Sequence, residues 1–505
     1  MRTLYRAARI HTFGHPPTGE WLLVDGRHIQ RVGTGDPPAA DRLVELPGAT
    51  ILPGMIDTHV HLTSTGLRVA NEDVARAASA RELLAIASER AADPRDDTTV
   101  VMQGFDESLW DRPGLPSLAQ LDDAVSRPLV IRRIDGHAAL ANSAAIAAAD
   151  LVGVSGLERG PGDEPTGLIT REANARLGRW TAAARSEHLI EQLQLAAASL
   201  AASRGVTAVH EMSMPHDDGE RDVEVFRGHR DRLPVHAIAI VATMDVPRAI
   251  ELGHDAIGGD LPVDGSLGAR TAAVSLPFEG APGLGVTYYD DDELAGFFHD
   301  AHMAGLQAGV HAIGDRAIEQ VVSAWERIYA TLDSRERRHF RARRHRIEHF
   351  EMPTHAQIER AAMLGLAVSA QPSFDAAWGS PGGMYEARVG VARASAMNPF
   401  RSILERGVEL GAGSDAPVTD LDPWRAVGAM EHHHDASQRL GRFEAIRVHT
   451  VGSARLAHQE EKKGLLEPGH HADFAAYDLD PLVAESVEGL RPILTVSLGR
   501  DVFVA

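Results

Sequence analysis

The sequence contains no cysteine, and this absence excludes several kinds of chemistry. A chain without thiols has no disulfide framework, no thiolate nucleophile and no zinc or iron–sulfur centre held by cysteine. Any bound metal must therefore rest on histidine and carboxylate ligands. Histidine is plentiful, with 26 among the 505 residues, and imidazole is the commonest metal ligand in proteins.

Basic residues are scarce relative to acidic ones. Lysine and arginine together number 50 against 71 aspartates and glutamates, which gives a formal net charge of -21. A field of this sign repels nucleic acids and anionic membrane surfaces. We therefore expect a small-molecule substrate as the partner, with no nucleic acid and no membrane.

Long apolar runs are also missing. No stretch reaches the roughly 18 apolar residues of a transmembrane helix, and the N-terminal segment MRTLYRAARIHTFGHPP lacks the apolar core of a signal peptide. The sequence therefore predicts a cytoplasmic protein.

Short apolar runs, in contrast, recur along the chain from Ala49 onward and alternate with longer amphipathic segments. This alternation is typical of parallel strands connected by helices, and eight such units predict an α/β fold of the closed (β/α)8, TIM-like type. The eight runs are ATILPGMID, GVTAVHE, PVHAIAIVA, GDLPVDG, LQAGVHAIG, RHRIEHF, GLAVSAQP and VELGAGSD.

Two parts of the chain fall outside this repeat. Residues 62–181 separate the first run from the second by far more than a usual connection, so they are interpreted as an inserted cap subdomain. The patterns of residues 1–54 and 456–505 predict short strands and turns. We expect these two segments to form one small composite β-sandwich domain. The barrel itself is assigned to residues 55–455.

Polar residues end several of the apolar runs, at the side where barrel active sites lie. The first run ends in His59 and His61, which share one face of a strand because they are two residues apart. The fifth run ends in His311, the sixth in His349 and the eighth in Asp415. Such a set suits Zn, Mn, Ni or Fe(II), and zinc is the first choice because it needs no redox partner.

The motifs around these residues carry a family resemblance. ILPGMIDTHVHL, VHAIGDRA, RIEHFE and GSDAPV, in this order and spacing, resemble the amidohydrolase superfamily of metal-dependent hydrolases. DGHAALANSAAI, GFDESLW and DGSLGARTA resemble the branch that includes N-substituted formamide deformylases, and KKGLLEPGHHADFAAYD resembles the segment that closes the terminal domain. The resemblance implies a metal site made of His59, His61, His311, His349 and Asp415.

One position departs from the family pattern. Many relatives place a lysine four residues before the Asp-Gly-Ser, carbamylated so that it bridges two metals, whereas this chain has Asp260. Because aspartate cannot form that carbamate, we expect one divalent ion rather than two, with His349 orienting the attacking water and Asp415 acting as general base. A two-metal site with another bridge remains the alternative.

Further candidates lie near the expected barrel mouth. We predict substrate-binding roles for four residues, while the run from His432 to His434 is interpreted as a solvated helix end. The four substrate-binding candidates are His137, Asp264, Arg270 and Gln371.

These features together predict a metal-dependent hydrolase that cleaves a C–N bond of an acyclic amide, an N-acyl or N-formyl amine, through a metal-activated water. Two alternatives stay open: a deaminase or cyclic-amide hydrolase of the same superfamily, and a non-catalytic barrel that binds a small ligand or a metal. A homodimer is the expectation for an enzyme of this size.

Overall fold

The computed structural model describes residues 1–72, 74–92, 99–111, 114–215, 220–254 and 256–505. Its strands are numbered along the chain as β1 (Arg2–His11), β2 (Thr18–Asp25), β3 (His28–Gly33), β4 (Arg42–Pro53), β5 (Met55–Val60), β6 (Val100–Phe105), β7 (Leu129–Arg133), β8 (Ala138–Ala141), β9 (Leu157–Arg159), β10 (Pro165–Thr170), β11 (Val206–Ser213), β12 (His236–Val241), β13 (Ala256–Ile257), β14 (Gly309–Ala312), β15 (Arg346–His349), β16 (Ala367–Ala370), β17 (Glu409–Ala412), β18 (Phe474–Tyr477), β19 (Leu494–Ser497) and β20 (Arg500–Val504).

Helices connect and cover these strands. They are α1 (Leu62–Leu67), α2 (Ala80–Ala91), α3 (Leu118–Ala124), α4 (Ser143–Ala148), α5 (Arg171–Ala183), α6 (Glu187–Ser203), α7 (Glu220–His229), α8 (Val246–Glu251), α9 (Asp291–Met303), α10 (Asp315–Thr331), α11 (Ser334–Arg343), α12 (His355–Leu364), α13 (Pro372–Trp378), α14 (Met384–Val389), α15 (Val391–Ala394), α16 (Phe400–Glu405), α17 (Pro423–Glu431), α18 (Arg442–Arg447) and α19 (Ser453–Leu456). Shorter helical turns are 3₁₀ at Glu107–Leu109, Arg230–Arg232 and Ala436–Gln438, and π-helical at Arg68–Glu72 and Val448–Gly452. Within the described ranges, every helix is too short or too polar to cross a membrane.

Eight parallel strands form a TIM-barrel-like α/β fold. They lie in two four-stranded sheets, ordered β13-β12-β11-β5 and β14-β15-β16-β17. Isolated parallel bridges, Ile257 with Ala308 and Val60 with Ala416, bring the edges of the two sheets together without completing a continuous ladder. The carboxyl ends of all eight strands therefore face one side, where the predicted metal ligands lie.

The fourth strand differs from the prediction. The run GDLPVDG is a loop, and the strand is the shorter β13, which ends before it. Two glycines in the left-handed region, Gly258 (φ 84°) and Gly259 (φ 58°), turn the chain directly after Ile257. Glycine is required at Gly258 because a Cβ there would lie 2.0 Å from the carbonyl oxygen of Gly309. The turn carries Asp260 over the barrel mouth.

Strands from both ends of the chain form one seven-stranded mixed sheet, ordered β20-β19-β18-β4-β1-β2-β3. A fully buried ion pair between Lys463 and Asp473 ties its C-terminal segment together, and Asp473 also accepts a hydrogen bond from the backbone N–H of Leu498 at 2.6 Å. All described terminal strands belong to this one sheet, so the two layers of a sandwich stay a prediction.

The insertion has a sheet and a core of its own. Its five strands are ordered β6-β7-β8-β10-β9, and their apolar side chains pack against helices α2 and α3 in a buried cluster that includes Leu83, Met102 and Leu121. The insertion and the barrel mouth line the same cavity, as described below.

Candidate metal centre

Three side chains meet at the junction of β5 and the segment after β17. The Nε2 atoms of His59 and His61 lie 3.4 and 3.2 Å from Oδ1 of Asp415. The backbone N–H of Asp415 donates to the carbonyl of His59 at 2.8 Å, which holds the carboxylate beside the histidines. Among the described residues, Nε2 of His59 and Oδ1 of Asp415 are buried polar atoms without a hydrogen-bond partner. Buried polar atoms are rarely left unpaired, and these fit a divalent cation as their partner.

Asp260 occupies the centre of the site. Its Oδ2 lies 3.4 Å from Nε2 of His61, whereas its Oδ1 lies 3.2 Å from Nδ1 of His311 and 3.1 Å from Nε2 of His349. Oδ1 also lies 3.7 Å from Nε2 of His59, so it faces three histidines, whereas Oδ2 faces His61 alone. Asp260 was not predicted as a ligand from the sequence, although its position four residues before Asp-Gly-Ser was the available signal.

The electrostatics of the site favour a cation. Burial alone would lower the pKa of His59, but the carboxylates of Asp415 and Asp260 raise it to about 10. Burial would raise the pKa of Asp260, and the surrounding histidines hold it well below its usual range. The ionised carboxylates favour protonation of His59, His61 and His311, and a metal ion competes with the proton for the nitrogen lone pairs.

Hydrogen bonds behind the site orient its histidines. Nδ1 of His59 donates to Glu348 at 3.0 Å, Nδ1 of His61 to the carbonyl of Met212 at 2.9 Å, and Nδ1 of His349 to Oε1 of Gln371 at 2.7 Å. This assignment of the ring protons leaves each Nε2 lone pair pointing into the site, the usual arrangement around metal-ligating histidines.

A cavity of about 430 Å³ opens above these residues, between the barrel mouth and the insertion. Its size is within the usual range of small-molecule sites, roughly 300–1,000 Å³. His137 of the insertion lines this cavity, and its ring centroid is 5.3 Å from that of His311. Burial lowers the pKa of His137 to about 4, so the imidazole is neutral near pH 7.

The other three predicted substrate residues do not line the cavity. Asp264 is fully buried, and its carboxylate accepts the backbone N–H groups of Ala273, Ile313 and Gly314 at 2.8 to 3.0 Å, so it stabilises the loop around the site. Arg270 is exposed on the outer side of its turn, with a left-handed φ of 55°. The side-chain amide of Gln371 is hydrogen-bonded to His349 and to the carbonyl of Ser369.

The predicted solvated helix end at His432 to His434 is wrong for two of its three residues. Helix α17 ends at Glu431, so the following residues turn inward. His433 is completely buried and donates from Nε2 to the carbonyl of Asn398 at 3.0 Å. His434 pairs with the buried Asp375 through Nδ1 at 2.5 Å. Only His432 is exposed, and these contacts join α17 to α13.

A buried acid in the cavity wall was also missed by the sequence analysis. Glu351 accepts a hydrogen bond from the hydroxyl of Tyr385 at 2.7 Å, and burial raises its pKa to about 7. Its signal in the sequence was its place in RIEHFE, two residues after His349.

A TIM-barrel-like fold whose strand ends bring histidines and aspartates together under a substrate-sized cavity defines a metal-dependent hydrolase. The model of the amidohydrolase family matches residues 42–503, nearly the whole length. The chain therefore belongs to the amidohydrolase family, which confirms the resemblance seen in its motifs, and it is a hydrolase acting on C–N bonds.

Individual relatives and solved structures agree with this assignment. The chain is 28% identical over 487 residues to YtcJ of Bacillus subtilis (strain 168), covering 88% of this chain and 87% of the relative. It is 24% identical over 506 residues to an N-substituted formamide deformylase of Arthrobacter pascens, covering 91% and 90%. The crystal structure of a metal-dependent hydrolase from Pyrococcus horikoshii OT3 shares the fold with a TM-score of 0.75 and 24% identity, covering 96% of this chain and 99% of that one.

Proposed function

We propose that the protein hydrolyses the C–N bond of an acyclic amide, an N-acyl or N-formyl amine. The observation that carries this proposal is the pair of unpartnered buried atoms, Nε2 of His59 and Oδ1 of Asp415, at the base of the cavity that His137 also lines. The similarity to an N-substituted formamide deformylase supports an acyclic amide as the substrate class.

The residues present fit a site for two divalent ions. His59, His61 and Asp415 would hold one ion, and His311 with His349 a second. The Asp260 carboxylate would contribute to both groups, since it lies within 3.4 Å of His61, His311 and His349, and it would take the place of the carbamate of other relatives. A single ion was expected from the sequence because aspartate cannot form the carbamate, whereas the two-ion proposal uses the Asp260 carboxylate itself as a ligand. Zinc is the proposed metal because imidazole and carboxylate ligands suit it.

The reaction follows from the positions of the side chains. When bound, a divalent ion supplies Lewis acidity that makes water a nucleophile near neutral pH and polarises the amide carbonyl. The Asp415 carboxylate accepts a proton from the attacking water and returns it to the departing nitrogen, which leaves as the amine while the acyl part becomes the carboxylic acid. Neutral His137 donates a hydrogen bond to the substrate from the opposite wall.

Metal analysis combined with a substrate panel tests this function. The protein, purified without a histidine tag, is analysed for metal content per chain and assayed on N-formyl amines, N-acyl amines, cyclic amides and aminated heterocycles, before and after chelation. We expect chelator-sensitive release of amine and carboxylic acid from acyclic amides. Ammonia release from the heterocycles alone, or ring opening of the cyclic amides alone, would contradict the proposal, as would full activity in the chelated protein.

A further inference from the structure

Five arginines line the cavity above the proposed metal ligands, and two of them differ from the rest. Arg68, Arg133 and Arg179 each form an ion pair with a neighbouring carboxylate. In the part of the chain that the structure describes, Arg132 and Arg171 have neither a hydrogen bond to the guanidinium nor an ion pair. The cavity therefore contains two guanidinium charges whose counter-ion the described residues do not supply.

Both unpaired arginines belong to the insertion, which covers the barrel mouth. Arg132 lies on β7 and is half-buried, next to the fully ion-paired Arg133. A half-buried cation is costly unless an anion or water compensates it. Arg171 is exposed, so its charge is solvated and its backbone is the notable feature. It begins helix α5 with a left-handed φ of 49°, a conformation that residues other than glycine rarely adopt. Such strained residues cluster at ligand-binding positions.

We propose that the amide substrate carries a carboxylate and that Arg132 and Arg171 bind it. This inference rests on the hydrolytic function proposed above and names its substrate class. The planar guanidinium matches a carboxylate with two parallel hydrogen bonds. Because the whole chain carries a net charge of -21, an acidic substrate needs such a local positive site to enter the cavity.

An aromatic part of the cavity wall fits the apolar part of the same molecule. The ring of Phe374 lies parallel to that of His349, at 11° and 6.1 Å between centroids, and Trp378 lies 4.9 Å from Phe374. The cavity lining therefore combines aromatic rings from helix α13 with guanidinium groups from the insertion. A substrate with an apolar group and a carboxylate would contact both.

Two matched pairs of amides test this assignment, since the position of the carboxylate relative to the scissile bond differs between them. The first pair is racemic N-formylphenylalanine and N-(2-phenylethyl)formamide, and the second is N-benzylsuccinamic acid and N-benzylbutyramide. The metal-loaded wild type is compared with Arg132→Gln, Arg171→Gln and the charge-retaining Arg132→Lys. Arg81→Gln, which changes an exposed arginine of helix α2 in the insertion, outside the cavity, is the matched control.

We expect the wild type to favour the acid of at least one pair by about tenfold or more in kcat/KM. Arg132→Gln and Arg171→Gln should each lose about tenfold or more on that acid without change on its neutral partner. Arg132→Lys should retain part of the preference and Arg81→Gln all of it. Equal kcat/KM for acid and neutral amide in both pairs would overturn the inference and leave the hydrolytic function standing.

A binding measurement tests the carboxylate site even if the proposed hydrolytic function fails. If the metal-loaded wild type hydrolyses none of the four amides, the proposed function fails for these substrates, and calorimetric titration with N-formylphenylalanine and N-benzylsuccinamic acid decides the carboxylate site. Binding that weakens about tenfold or more in Arg132→Gln and Arg171→Gln would support the site. No binding to the wild type, or equal binding to both variants, would overturn it.

Discussion

Nδ1 of His59 lies 3.0 Å from Oε2 of Glu348, and both side chains are fully buried. Glu348 is itself held by Arg346 through hydrogen bonds of 2.8 and 3.0 Å to its two oxygens. Arg346 also donates to the carbonyl of Thr58, the residue before His59, at 2.9 Å. This chain of contacts fixes both the ring and the backbone of His59, so that its Nε2 points at Asp415.

Glu348→Gln tests whether the hydrogen bonds from Arg346 through Glu348 to His59 are important for metal binding. The amide cannot provide the same charged acceptor for His59, so we expect metal affinity to fall by about 10–100-fold. Competition with a chromophoric chelator measures the affinity, and thermal unfolding checks that the fold is retained. Glu359→Gln, at a glutamate that is 65% exposed, should leave the affinity unchanged. Equal metal affinity in Glu348→Gln and wild type would exclude the orienting role.

The sequence predicted the positions of the histidines better than their surroundings. His59 and His61 could be identified because alternation along a strand directs both to one face, and His311, His349 and Asp415 because each ends an apolar run. Glu348 gives no such signal, since it lies within a strand and becomes a partner of His59 only through the pairing of distant elements. A contact between residues 289 positions apart depends on the tertiary fold.

The insertion was the part least accessible to prediction. Its presence followed from the long separation of the first two barrel strands, but which of its residues reach the cavity depends on how its sheet docks on the barrel. Outside the insertion, Asp264 and Arg270 were selected because they flank the turn GSLGAR, and Gln371 because it ends the seventh apolar run. Local turn geometry directs two of these side chains to backbone groups or solvent and the third to His349.

Asp415→Asn should abolish turnover while retaining the fold. The neutral amide cannot accept a proton from water, so we expect kcat to fall by about 10²–10⁴-fold on the best amide of the panel. Metal analysis of the same preparation shows whether the ion is still bound. Turnover near the wild-type rate in a metal-loaded variant would remove Asp415 as the base.

Asp260→Asn should change the number of metals bound per chain. If the Asp260 carboxylate joins two ions, the wild type holds about two per chain after loading and the variant about one, because an amide is a poor bridging ligand. Elemental analysis after removal of excess metal gives the count, with Asp300→Asn at an exposed aspartate as the control. About one ion in both proteins would favour the single-metal site that was expected from the sequence.

Lys463→Met should destabilise the terminal sheet. The substitution keeps the length of the side chain but leaves the buried Asp473 carboxylate without its cationic partner. Loss of one member of a buried ion pair costs about 3–5 kcal/mol of unfolding free energy. Urea unfolding of the variant measures the loss, and Lys462→Met, at the exposed neighbouring lysine, should have little effect. A double variant, Lys463→Met with Asp473→Leu, should recover part of the stability, because it removes the unpaired charge.

His449 should make the protein less stable in mild acid. The residue is 2% exposed in the π-helical turn Val448–Gly452, and burial lowers its pKa to about 4. Above the unfolded-state pKa of about 6.5, the imidazole is neutral in both states, so its ionisation does not change the unfolding free energy. As the pH falls from about 6.5 to about 4, the unfolded chain binds a proton that the folded chain cannot, so about 3 kcal/mol of stability is lost.

A variant without the His449 imidazole isolates the contribution of this residue to the pH dependence of the unfolding free energy. The unfolding free energies of His449→Leu and wild type are compared by urea titration from pH 7 to pH 4, and the difference should move in favour of the variant by about 3 kcal/mol. Loss of metal in acid affects both proteins equally and cancels in that difference. His299→Gln, at an exposed histidine, should follow the wild type throughout. A pH-independent difference between His449→Leu and wild type would mean that the buried imidazole takes up its proton without opening the fold.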